Sequence, residues 1–249
     1  MNNIKIVIVI FLFSSSVFGQ NIKNDSIKNT QNITFNYKSL IIPSSLIGYG
    51  IIGIESDGLK LFNSEIKKEI NEHIDDMFTI DDISQYAPFL SVYGLNALGI
   101  KGKNNFKDRT IILGTAYLIM GTSVNVLKKL TAIERPDGSS KTSFPSGHTA
   151  TAFMGAEFLN QEYKDVSIWY GISGYLVATG TGFFRMYNDR HWFTDVVAGA
   201  GIGIISTKIA YWIHPFVKKT LFQDKKKIDG FVMPFYNGKE YGLGLSMLF

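Results

Sequence analysis

The sequence predicts an all-α fold: a membrane-associated bundle of about five or six core helices, followed by a short C-terminal β-hairpin. Three observations predict it. Apolar residues make up 45% of the 249-residue chain and charged residues 18%, an apolar balance for a single domain. Four apolar segments recur after residue 85 (Tyr86 to Ile100, Thr110 to Leu127, Ser167 to Phe184, Val196 to Ile213), and a helical stretch from His148 to Leu159 lies between the second and third. These segments are rich in Gly, Ala, Ser and Thr rather than Leu, which suits close helix-to-helix packing.

Taken in order, residues 1–19 read as a secretory signal peptide or an N-terminal anchor. Lys5 opens a polar start, Ile6 to Phe13 is the apolar run, and Val17-Phe18-Gly19 offers a cleavage site. Either way the protein is expected to be exported. Residues 20–38 are polar and Asn-rich and read as a linker. Residues 39–222 form the main domain. Within it, Leu40 to Ile54 is apolar but broken by Pro43, two serines and three glycines, and is short for a membrane span. Leu59 to Ile83 reads as one amphipathic helix, with Leu59, Phe62, Ile66, Ile70 and Ile74 at helical spacing. The acids between Asp75 and Asp82 read as its solvated face and loop rather than as a metal site. Residues 223–249 are the tail, where Tyr241, Leu243, Leu245, Met247 and Phe249 alternate with other residues after an Asn237-Gly238 turn, a hairpin pattern.

Charge and composition exclude several function classes. The formal charge is +4 and the lysines do not interleave with aromatics, so nucleic acid is not an expected partner. With no cysteine in the chain, thiol catalysis, cysteine-held metal and disulfides are excluded. Lys101, Lys103, Lys107 and Arg109 crowd one loop, and Lys218, Lys219 and Lys225 to Lys227 follow the last apolar segment. A threading with both groups in the cytoplasm obeys the positive-inside tendency and puts the loops after Leu127 and Phe184 on the periplasmic side. With a cleaved signal, Leu40 to Ile54 would then have to lie on the membrane or fold back.

Three short blocks concentrate unusual chemistry. In the first, six residues separate Lys128 from Arg135-Pro136. That is about two helical turns, so the two cations can share a face at a helix end as an anion site, or snorkel at a membrane edge. The second is Ser143-Phe144-Pro145-Ser146-Gly147-His148-Thr149. Its N–H groups at a helix start can bind an anion and His148 can donate a proton, or Ser146 simply caps the helix. The third is Arg185, five residues, His191, three residues, Asp195. On a helix His191 and Asp195 would share a face, the carboxylate holding one imidazole tautomer so that the other nitrogen can attack. Together, cations, an anion-binding helix start and a His–Asp pair meet the needs of phosphoryl transfer, whose transition state spreads charge over equatorial oxygens. The remaining histidines, His73 and His214, read as structural or solvent-facing.

The trio, in this order and spacing over about residues 80 to 213, resembles the type 2 phosphatidic acid phosphatase (PAP2) and vanadium haloperoxidase superfamily, in its bacterial membrane lipid phosphatase branch. The resemblance implies a helical bundle of that type and a phosphatase working through a phosphohistidine, with no metal and no cofactor. At the matching positions it implies His191 as nucleophile, Asp195 as its orienting partner and His148 as general acid. Lys128, Arg135 and Arg185 would clamp the phosphate oxygens, with Ser146 and Gly147 completing the cradle. One position departs from the family pattern: Phe184 stands before Arg185 where the family usually has Ser. The implied substrate is a lipid-linked phosphomonoester or pyrophosphate at the periplasmic face of a bacterial inner membrane, lipid A 1-phosphate and undecaprenyl pyrophosphate being the candidates. The alternatives are a soluble periplasmic acid phosphatase and, behind it, a vanadium-dependent haloperoxidase.

Overall fold

The computed structural model describes residues 37–71, 79–222, 229–236 and 241–248. The signal or anchor segment, most of the polar linker, His73 and the Asn237-Gly238 turn lie outside them. A 3₁₀ turn at Tyr37–Leu40 leads into α1 (Ile41–Glu55), α2 (Asp57–Asn71), α3 (Ile80–Ser84), α4 (Ala87–Ala97), α5 (Phe106–Thr131), α6 (Gly147–Tyr163), α7 (Ile168–Tyr187) and α8 (Phe193–Leu221). Strands β1 (Asp229–Tyr236) and β2 (Tyr241–Leu248) then pair antiparallel, Asp229 opposite Leu248 and Tyr236 opposite Tyr241. The all-α bundle with a hairpin tail is therefore the observed architecture.

Local chemistry sets the helix ends. Asn105 caps α5 by accepting from Asp108 N–H at 2.9 Å, and Ser167 caps α7 by accepting from Trp169 N–H at 3.4 Å. Ala132, at φ 47°, turns the chain sharply out of α5. Of the expected helix from Leu59 to Ile83, the described residues form α2 and the short α3, and residues 72–78 lie outside the described residues.

Helix α6 is the core. Ala150, Ala152, Met154, Ala156 and Phe158 are all fully buried, because α4, α5, α7 and α8 surround it. Glycine makes the α6–α8 contact possible. A Cβ on Gly199 would stand 2.5 Å from Ser146 O, and one on Gly203 would collide with Ala150 O, so the two backbones approach more closely than any side chain allows. Helix α1 packs on the other side of α8, where a Cβ on Gly201 would meet Pro43 O at 2.6 Å. The Leu40 to Ile54 segment thus forms one helix packed along α8. Among the described residues it is, with its preceding turn, one of three helices long and apolar enough to cross a membrane: Tyr37–Glu55, Phe106–Thr131 and Phe193–Leu221, with mean hydropathies of 1.3, 1.6 and 1.5.

The two ends of the bundle differ. At one end, Glu162 of α6 accepts from Asn104 N–H at 3.0 Å, Asn104 Nδ2 at 2.6 Å, Arg109 Nε at 3.3 Å and Tyr211 O–H at 2.6 Å. Arg109, read from the sequence as one of the cations crowding a loop, lies in α5 and is fully buried, because this carboxylate draws it into the helix packing. Nearby, Asp108 pairs with Lys218 at 2.9 Å and with His214 at 3.3 Å, which gives His214 a structural role. At the opposite end the C-termini of α5 and α7 meet the N-termini of α6 and α8. All three chemistry-bearing blocks lie there.

Candidate active site

The third block is built on a loop before it is built on a helix. The carbonyl of Arg185 accepts from both Arg190 N–H at 3.0 Å and His191 N–H at 3.2 Å, which fixes the Arg–His spacing by folding the chain over the end of α7. His191 therefore precedes α8 rather than riding on it, a correction to the shared-face reading. Asp195, in the first turn of α8, reaches back over the helix start. Its Oδ2 accepts from Trp192 N–H at 2.9 Å and from Ser143 O–H at 2.5 Å, and lies 3.7 Å from His191 Nδ1. Both His191 and Asp195 are buried. Burial pushes the His191 imidazole down to about 4, the cations Lys128 and Arg185 act the same way, and Asp195 opposes them. A neutral imidazole is the form with a free lone pair.

The first block also departs from its expected shape. α5 ends at Thr131, so Arg135 stands on a loop and not two turns along a helix. Lys128 Nζ donates to Thr142 O, and Arg135 N–H donates to Ser140 O at 3.0 Å. The charges of Lys128, Arg135 and Arg185 are close enough to repel one another. Arg135 Nε and Arg185 Nε are both buried without a hydrogen-bond partner. Buried donors of this kind are costly unless something accepts from them.

In the second block Ser146 is the cap of α6. Its Oγ accepts from Thr149 N–H at 3.5 Å, lies 2.8 Å from Thr149 Oγ1 and is fully buried. The hydroxyl is thus engaged by the helix, and the block's anion-binding capacity falls to the N–H groups of Gly147 and His148, which have no intrahelical acceptor at these positions. A Cβ on Gly147 would meet only Val124 Cγ1, at an ordinary 3.7 Å. Gly147→Ala is therefore expected to keep the wild-type melting temperature while kcat/KM falls about tenfold to hundredfold, because the methyl group blocks approach to the donors. Melting curves and steady-state kinetics on the same preparation check both halves.

The acids expected to be solvated are part of this site. Asp81 of α3 is buried; it receives Arg185 Nη1 at Oδ2 and Asn188 Nδ2 at Oδ1, the latter at 3.1 Å. Asp82 Oδ1 lies 2.9 Å from His148 Nε2 and 3.7 Å from Arg185 Nη1. Asp81, Asp82 and His148 bring potential ligand atoms within 4.8 Å of one another, but Arg185 already supplies the positive charge a cation would bring. Burial and Arg185 lower His148 below the ordinary histidine value, against the pull of Asp82. Helix α2 braces the loops from outside: Lys67 Nζ donates to Pro136 O at 2.7 Å, and Asn63 pairs with Thr194 at 3.0 Å. Asp137 ties the two loops together through Arg190, at 2.9 Å. Beside Asp195 a cavity of about 260 Å³ is lined by Asn63, Ile133, Glu134, Trp192 and Thr194. Sequence reasoning singled out none of Asp81, Asp82, Asn188 and Lys67, and it quoted Ser143 without giving it a role.

All eight expected site residues thus gather at one end of the bundle, and residues 109–219 match the model of the PAP2 superfamily. Over these residues the chain is similar to the PAP2 superfamily. The chain is 40% identical over 141 residues to a lipid A 1-phosphatase of Porphyromonas gingivalis, covering 55% of this chain and 31% of that protein. It therefore spans about a third of the length of this curated relative. Two solved structures are similar. Aquifex aeolicus LpxE has TM-score 0.47 and 25% identity, covering 60% of this chain and 94% of that one. A transmembrane PAP2 type phosphatidylglycerolphosphate phosphatase from Bacillus subtilis has TM-score 0.44 and 20% identity, covering 75% and 98%.

Proposed function

We propose that the protein is a membrane phosphatase that hydrolyses a lipid-linked phosphomonoester or pyrophosphate through a phosphohistidine on His191, without a metal. The observation that carries this reading is the pair of buried, unpartnered guanidinium Nε groups of Arg135 and Arg185 beside the buried, neutral His191. Two donors without acceptors next to a nucleophile fit an anion that must be held while it is attacked. In this reading His191 Nε2 attacks phosphorus while Nδ1 faces Asp195. The cations and the N–H groups of Gly147 and His148 take the equatorial oxygens. His148 protonates the departing oxygen, and water then cleaves the phosphohistidine.

The lipid part of the proposal rests on the outer surface and on the relative. Leu118, Trp169, Leu176 and Phe216 are each about 70% exposed, an apolar surface of the kind that contacts lipid. The name of the Porphyromonas relative, lipid A 1-phosphatase, makes lipid A 1-phosphate the first substrate to try, with undecaprenyl pyrophosphate second. The lysines near Asp108 lie at the end of the bundle away from the site, which by the positive-inside tendency supports a site facing the periplasm. Purified protein incubated with these two lipids and with phosphatidylglycerophosphate is expected to release inorganic phosphate from at least one, with EDTA present. Release from none of them, or activity that EDTA removes and a divalent ion restores, contradicts the proposal.

The pH profile follows from the same residues. The free enzyme needs His191 neutral, which holds above about 4, and His148 protonated, a form lost as pH rises through a point lowered below the ordinary histidine value. The profile of kcat/KM is therefore expected to be bell-shaped with an acidic optimum between these limits. A kcat/KM that still rises above neutrality on an alkyl phosphate would remove His148 as the acid.

A further inference from the structure

Helix α3 lies upstream of residues 109–219, and its two carboxylates face the reacting groups. We propose that Asp82 is a positioning residue for the general acid: its carboxylate accepts the His148 Nε2–H bond and so fixes the ring with Nδ1 free to hand its proton to the leaving oxygen. This rests on the phosphatase reading and adds a residue to it.

The geometry has two parts. Asp82 Oδ1 and His148 Nε2 are 2.9 Å apart, a charge-assisted distance when the imidazole is protonated. The second part is what keeps Asp82 there. Its neighbour Asp81 is buried under Arg185 and Asn188, and Ser84 Oγ bonds Thr181 Oγ1 of α7 at 2.8 Å. The short helix is thus pinned to α7 on either side of Asp82. The charged groups facing His148 are Asp81 and Asp82 from α3 and Arg185 from α7. Arg185 opposes a protonated ring and the two aspartates favour it, so the carboxylates offset the cation that the phosphate itself requires.

The step balances as follows. The His191 nitrogen–phosphorus bond forms as the phosphorus–oxygen ester bond breaks, with its electron pair passing to the departing oxygen. The Nδ1 proton of His148 moves to that oxygen, leaving His148 neutral and the alcohol free to depart. An activated ester whose leaving group is already stable as an anion needs this proton least.

The test compares dodecyl phosphate with 4-nitrophenyl phosphate in detergent, using wild type, Asp82→Asn and Asp82→Glu, with helicity followed by circular dichroism. Asp82→Asn is expected to lower kcat on dodecyl phosphate about tenfold more than on the nitrophenyl ester. KM should move little, the alkaline limb of the pH profile should shift to lower pH, and Asp82→Glu should recover part of the loss. An active wild type with Asp82→Asn slowing both esters equally, and with the alkaline limb unmoved, overturns the role of Asp82. A wild type that hydrolyses neither ester overturns the phosphatase reading instead.

Discussion

His191→Ala is expected to lower phosphate release by about 10³-fold or more while the bundle remains folded. The two halves of this expectation have separate causes. The imidazole is the one group in the site with a buried, free lone pair next to clustered cations, so no neighbour can take over the attack. Its removal costs little in stability because Nδ1 makes no hydrogen bond and the loop is held by backbone bonds to the Arg185 carbonyl, which alanine keeps. Mixing the enzyme with substrate carrying radiolabelled phosphate and quenching in base should trap an acid-labile label on the wild-type chain and none on the variant. Substantial turnover by a folded His191→Ala protein would mean that another group attacks phosphorus.

The largest expected loss of stability lies at the other end. Glu162→Ala removes the carboxylate that serves Arg109, Asn104 and Tyr211 together and leaves the fully buried Arg109 without its counter-charge. Removing one partner of a buried ion pair costs about 3–5 kcal/mol, a large fraction of a domain's total stability. Thermal unfolding in detergent should show a drop of many degrees. Glu162→Gln, which keeps two acceptor sites on one oxygen and a similar shape, should lose less. Equal melting temperatures for wild type and Glu162→Ala would mean that Arg109 finds another acceptor or water.

The helices and the three blocks were legible because their signals are local. Apolar runs, caps and short spacings survive in one dimension, and the blocks held their residues together even where the reason was wrong. Lys128 and Arg135 meet through a left-handed turn at Ala132, and His191 meets Asp195 through a carboxylate folded over a helix start. The acids of α3 were illegible for the opposite reason. Asp81 finds Arg185 across 104 positions, and nothing in the run Ile80-Asp81-Asp82 distinguishes a buried acid from a wet one. Arg109 carries the same lesson: beside Lys101, Lys103 and Lys107 it looks like another loop charge until Glu162 comes to meet it. Ser143 was in plain view, but an oxygen acquires a partner only when the loop closes on α8.

The oxygen that Ser143 meets, Asp195 Oδ2, also holds the N–H of Trp192, the residue that caps α8, and faces the His191 ring. One atom therefore serves both the helix start and the proposed nucleophile. Fraying of that single turn and misalignment of the imidazole are the same event. If the proposed phosphatase reading holds, heating is expected to remove phosphate release before the far-ultraviolet spectrum of the bundle changes.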